Sequence, residues 1–194
     1  IDLKKIIDDS YSQFSQSSIA PAIAIDKNKY ILELFHGPTF AFKDYALQFL
    51  GNIFTHVLPK ASKKLTVLGA TSGDTGSAAI HAFRGKQDIN VFILHPHNRV
   101  SEVQRRQMTT IQDSNIFNIA IEGNFDDCQN IVKELFIDEE IQQQTSLTAI
   151  NSINWARIIA QCVYYFYCYF LIKDNEQNIN FSVPTGNFGD VYAG

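Results

Sequence analysis

The sequence predicts an α/β fold of mostly parallel sheets flanked by helices. Three observations predict it. Short apolar runs of strand length recur at residues 65–68, 91–94, 116–121, 147–150 and 181–183. Helical patterns lie between them, and this alternation is the mark of parallel strands joined by crossover helices. Polar turns stand where several of these runs end, which is where such sheets bind ligands.

In chain order, residues 2–14 carry Leu3, Ile6, Ile7 and Phe14 at amphipathic helical spacing. Residues 22–25 and 30–34 flank Asp26-Lys27-Asn28 and read as a hairpin. After the Gly37-Pro38 turn, Ala46, Phe49, Leu50, Ile53, Phe54 and Val57 recur on one face of a helix that starts near Lys43. The strand at 65–68 leads into a helix at 77–83, and that at 91–94 into a helix capped by Ser101, with Gln104 completing a capping box. The strand at 116–121 precedes a helix at 125–136 that turns Ile131, Leu135 and Phe136 inward. The strand at 147–150 precedes a long apolar helix at 153–171, and 181–183 is a last strand. Residues 174–178 form the clearest polar break, and no internal repeat is visible.

With 194 residues the chain fits one or two domains with a substantial core. A formal net charge of -4 argues against a general nucleic-acid binder and assigns any anion site to local geometry. No run has the length expected of a membrane span, and no secretory signal opens the sequence. Cys128, Cys162 and Cys168 are odd in number and form no C-x-x-C, which fits free thiols in a reducing compartment better than a disulfide framework or metal site. The sequence stops at Gly194, just after a glycine-rich turn expected to open a helix, and reads as part of something longer.

Lys43 is the centre of the functional reading. It follows Phe40-Ala41-Phe42 and opens a helix, so apolar neighbours and the positive helix end both disfavour its ammonium form. A neutral amine is what an imine-forming lysine needs. An ordinary surface lysine beside Asp44 is the rival reading.

Three turns accompany it. Residues 71–76, Thr-Ser-Gly-Asp-Thr-Gly, suit a carboxylate at a helix start, or are capped by Thr71, Ser72 or Asp74. Asp74-Thr75-Gly76 also spells the aspartic-protease triplet, which belongs to an all-β setting that the helical pattern after it denies. Residues 186–190, Gly-Asn-Phe-Gly-Asp, suit a phosphate. They also resemble the end of a kinase glycine loop, but Pro184 stands where the first glycine belongs and no H-R-D or D-F-G occurs. Residues 151–157 place amides, a hydroxyl and Arg157 at the start of the long helix, either for phosphate or as a cap (Asn151, Ser152 or Asn154) with an ion-paired arginine.

Together, residues 32–44, 71–76, 151–157 and 182–190 resemble the threonine synthases, in that family's order and across nearly the whole chain. The resemblance implies a tryptophan-synthase-β-like fold (the fold type II class of pyridoxal-phosphate enzymes), represented here by a partial chain. It implies residues 1–62 and 173–194 in a large cofactor domain and 63–172 in a smaller substrate domain. Lys43 would be the Schiff-base lysine of pyridoxal 5'-phosphate. Gly186, Asn187, Phe188 and Gly189 would cradle the cofactor phosphate, with Asp190 nearby. Thr71, Ser72, Gly73, Asp74 and Thr75 would hold the substrate carboxylate near the cofactor's phenolic oxygen, where many wider relatives have asparagine in place of Asp74. Ser152, Asn154 and Arg157 would bind the substrate phosphate.

The implied reaction is conversion of O-phospho-L-homoserine and water to L-threonine and phosphate, in the cytoplasm, with no metal, nucleic acid or membrane partner and with room for a homo-oligomer. The rivals are a serine/threonine dehydratase of the same fold and a catalytically silent truncated homologue.

Overall fold

The computed structural model describes residues 2–58, 64–151, 154–173 and 178–194. Helix α1 (Leu3–Tyr11) is capped by the Asp2 side chain and buries Ile6, while Leu3 and Ile7 stay exposed. Strands β1 (Ala22–Asp26) and β2 (Lys29–Leu32) pair antiparallel across Lys27 and Asn28. Helix α2 (Lys43–Val57) begins at Lys43. Its buried face runs through Tyr45, Ala46, Leu47, Leu50 and Gly51, wider than the expected one, and Val57 is exposed. The reason is that α2 is covered from more than one side. At Gly51 a Cβ would lie 2.5 Å from the Ala82 carbonyl oxygen, so only glycine allows this backbone approach.

Strand β3 (Leu65–Ala70) leads into α3 (Asp74–Phe83), β4 (Ile89–Pro96) into α4 (Glu102–Thr109), and β5 (Ile116–Ile121) into α5 (Phe125–Ile137). Helix α6 (Glu139–Gln144), β6 (Ser146–Ala149), α7 (Trp155–Ile172) and α8 (Gly189–Ala193) follow. The four later strands form one sheet in the order β5-β4-β3-β6, with every pairing parallel. Alternate residues point to opposite faces. Val67, Val91 and Ile93 meet α2 and α3, whereas Leu68 and Leu94 meet Cys128, Ile131 and Leu135 of α5.

Several sequence expectations are corrected. Residues 181–183 form no strand, because neither sheet lends them an edge. Phe181 packs edge-on against Tyr165 instead, and Val183 joins the cluster around Tyr45 and Tyr164. Helix α6 is too polar to show a periodicity, and Asp138 caps it. The Ser101 hydroxyl does cap α4, but Gln104 leaves the capping box open: its side chain takes the Ser101 hydroxyl at 2.7 Å and reaches Asp74.

Helix α7, at 18 residues, does have the length and apolar composition of a membrane span. Here Ile158, Ala160, Tyr164, Tyr165 and Cys168 pack inside the fold, and Ile159, Val163, Phe166 and Phe170 face outward. Trp155, the single tryptophan, opens α7 at 64% exposure. The three cysteines are free, with Cys128 and Cys168 buried.

Candidate active site

Because β3 and β6 are parallel neighbours, their C-terminal ends lie at one edge of the sheet. The turns that follow them therefore emerge side by side, one opening α3 and the other α7. Contacts of α2 with α3 and α7, and of α7 with α8, bring Lys43 and residues 186–190 to the same place. The result is a cleft of about 320 Å³. It is lined by Phe42, Lys43, Ser72, Asp74, Thr75, Gln104, Arg157, Gln161, Pro184, Gly186, Asn187, Gly189 and Asp190.

The Lys43 wall is closely bonded. Gly37 lies so close to Asp44 that a Cβ there would sit 2.5 Å from the Asp44 carboxylate. Phe40 takes a left-handed turn with φ 60, a strained setting for an aromatic residue, and leaves its ring 73% exposed. The turn brings Thr39 onto Asp44, whose carboxylate accepts from the Thr39 amide and hydroxyl, each at 2.8 Å. Burial raises the Asp44 carboxyl above its ordinary range, with the Thr39 bonds opposing. Lys43 Nζ lies 4.2 Å from the centre of the Phe42 ring and donates to Asp74 Oδ2 at 3.3 Å. Asp74 is thus a counter-charge that the sequence reading had not placed there. Its other oxygen accepts from Gln104 Nε2. Gln107, one turn further along α4, donates to the Thr39 carbonyl at 3.1 Å.

The Arg157 wall is not fully bonded. Arg157 is 2% exposed, and no ion pair to it exists among the described residues. Its Nη1 donates to the Ile150 carbonyl at 2.9 Å, while Nε has no partner among the described residues. Burial pulls its guanidinium down to about 10, an unusual cost for a residue normally kept charged. Behind it, the Asp190 carboxylate accepts from the Tyr164 and Tyr165 hydroxyls. Tyr165 also donates to the Asp190 carbonyl at 3.1 Å, which fixes α8 to α7. Burial, reinforced by this carboxylate, pushes both phenols far up.

Of the residues singled out from sequence, the cleft gathers Lys43, Ser72, Asp74, Thr75, Arg157, Gly186, Asn187, Gly189 and Asp190. Thr71 is buried beneath it, its hydroxyl accepting from the Gly73 amide at 3.0 Å and the Gly76 amide at 2.9 Å. Gly73 is the N-cap of α3 with φ 148 and lies under the Gln104 side chain. Asn154 spends its side chain as the α7 cap and on the Ala149 carbonyl. Phe188 points outward at 76% exposure, and Ser152 lies outside the described residues. Gln104 was read only as a cap, and Gln161 went unread. Its spacing, one turn beyond Arg157 on the same helix, was the available signal.

The comparisons with known proteins agree on one family. No protein-family model matches the chain. A threonine synthase from Pseudomonas aeruginosa is 56% identical over 193 residues, covering 100% of this chain and 41% of the relative. That from Saccharomyces cerevisiae is 49% identical over 207 residues, covering 100% and 40%. A solved threonine synthase from Brucella melitensis with bound pyridoxal phosphate superimposes with a TM-score of 0.90 at 48% identity, covering 99% of this chain and 41% of that one. An Escherichia coli diaminopropionate ammonia lyase at 16% identity and a TM-score of 0.62 shares the fold. The chain spans about two fifths of the length of the curated relatives it matches.

Proposed function

We propose, for a chain homologous to threonine synthases over its whole length, that it forms the lysine-bearing part of a pyridoxal-phosphate-dependent threonine synthase. The reaction is conversion of O-phospho-L-homoserine and water to L-threonine and phosphate, a step of amino-acid biosynthesis placed in the cytoplasm. The division of the chain at residues 62 and 172 into cofactor and substrate domains belongs to the same reading.

The residues present fit the cofactor. Lys43 Nζ faces the cleft with its side chain only 14% exposed. A Cβ on Gly186 would meet nothing within 4 Å, so the backbone there leaves room for a bulky anion. When bound, the cofactor supplies the electron sink for charge developing on the substrate carbon. Lys43 holds the cofactor, and its Nζ moves protons at the substrate, with Asp74 and Gln104 fixing its position. Residues 186–190 receive the cofactor phosphate, with Asp190 anchored by its tyrosines. Ser72 and Thr75 face the substrate carboxylate, and Thr71 orders the amides of that turn.

The observation that carries the reading is Arg157, which lines the same cleft as Lys43 and whose buried Nε has no partner among the described residues. It meets the charge of the departing phosphate, reinforced by the N-terminus of α7. A dehydratase has no such leaving group to hold.

The test is borohydride reduction of the full-length protein with pyridoxal 5'-phosphate, followed by peptide mass mapping and an assay of threonine release from O-phospho-L-homoserine. An adduct on Lys43 together with threonine formation is expected. An adduct on another lysine, or turnover of serine alone, would overturn the reading.

A further inference from the structure

Gln161 lies one turn beyond Arg157 on α7, 2% exposed and lining the same cleft. Its Nε2 donates to the Arg157 carbonyl at 3.0 Å. Only the amino end of an amide can bond to a carbonyl oxygen, so chemistry fixes which way this side chain points. The other end, Oε1, is left without a partner. Two residues that line the cleft on one helix thus each bury an unfilled atom among the described residues, a donor at Arg157 Nε and an acceptor at Gln161 Oε1. Each unfilled group carries a desolvation cost that a ligand can relieve.

An acceptor beside a cation suits few anions. Against a fully deprotonated oxyanion it sets oxygen against oxygen with no hydrogen between. Against an anion that retains a proton it completes a bond. Inorganic phosphate carries a P–OH in both of its neutral-pH forms, and a phosphate monoester carries one in its monoanion, the minor form above its second pKa of about 6. Sulfate has the same shape and charge but no proton.

We propose that Gln161 Oε1 accepts a hydrogen bond from the P–OH of the substrate's phosphate while Arg157 Nε holds one of its charged oxygens, so that the pair selects a phosphate that keeps a proton. This rests on the assignment of the substrate phosphate to Arg157 and adds a specificity-determining residue to it. The alternative source of the same chemistry is the cofactor's own phosphate, and the test separates the two.

Inorganic phosphate and sulfate are titrated at neutral pH into the full-length protein with pyridoxal 5'-phosphate bound, then into the cofactor-free protein. Phosphate should bind at least about tenfold more tightly than sulfate, the effect of one hydrogen bond to a charged group. Gln161→Met should erase that preference by weakening phosphate alone. Equal affinities for the two anions in the unaltered protein, a comparison that needs no variant, would overturn the role of Gln161. In that case loss of both anions in Arg157→Met would leave the Arg157 assignment standing. Phosphate that binds only when the cofactor is absent would overturn the assignment itself, and the inference with it.

Discussion

The two walls of the cleft are built on opposite principles. On the Lys43 side, Thr39, Asp44, Asp74, Gln104 and Gln107 bond to one another or to the backbone, and the buried unpartnered Gln48 Nε2 of α2 lies on a residue outside the cleft lining. On the Arg157 side, a guanidinium nitrogen and an amide oxygen are buried with no partner among the described residues. Folded proteins seldom leave such atoms unpaired, because each one costs about 1–3 kcal/mol. On the proposed reading, one wall holds Lys43 in position while the other is completed by a ligand.

The sharpest way to break this contrast is Arg157→Met. It should lower kcat/KM for O-phospho-L-homoserine by roughly 30-fold or more, since losing a desolvated charged contact costs about 2–5 kcal/mol. Serine turnover and cofactor affinity should hold. Stability should not fall, because the depression of this guanidinium to about 10 corresponds to about 3 kcal/mol against folding. The sign is testable. Below that pH both folded and unfolded chains carry the charge and the folded one is destabilised, so the variant's advantage in Tm is largest there. Above it the folded chain loses its proton first and the advantage shrinks. A variant that melts lower and slows all substrates equally would make Arg157 an ordinary structural residue.

The opposite wall should respond in stability first. Gly37→Ala drives a methyl into Asp44 and unties Thr39, with an expected loss of about 1–3 kcal/mol in urea unfolding. An unchanged midpoint would show that this wall can yield. Tyr165→Phe removes two bonds to Asp190 but leaves the one from Tyr164, so about 1 kcal/mol should be lost. Gln107→Ala is the mildest, about 0.5–1 kcal/mol, because the freed Thr39 carbonyl can take water.

Much of the scaffold was legible because strands of a parallel sheet read as apolar runs: those at 65–68, 91–94 and 116–121 lie within strands, and that at 147–150 overlaps β6 and runs one residue past it. The run at 181–183 has the same look and no edge to join, so composition alone misreads it. Lys43, Asp74 and Arg157 stood out because charge beside glycine or aromatic residues is conspicuous in a sequence. Gln104, Gln107 and Gln161 did not, since a neutral amide announces nothing until its partners are known. The predicted face of α2 holds at Ala46, Leu50 and Phe54, but burial extends further, to Gly51, which only the approach of Ala82 shows as a contact.

Trp155 gives the Arg157 wall an optical reporter. It is the only indole in the sequence, largely in solvent, two residues ahead of Arg157 on the same helical turn. Its emission is therefore that of a wet fluorophore, free of background from any other indole in this chain. An anion that draws the first turn of α7 inward would shift that emission to the blue, and a yellow chromophore seated at Lys43 would quench it by energy transfer. Arrivals at the two walls could then be told apart by colour and by intensity in a single cuvette.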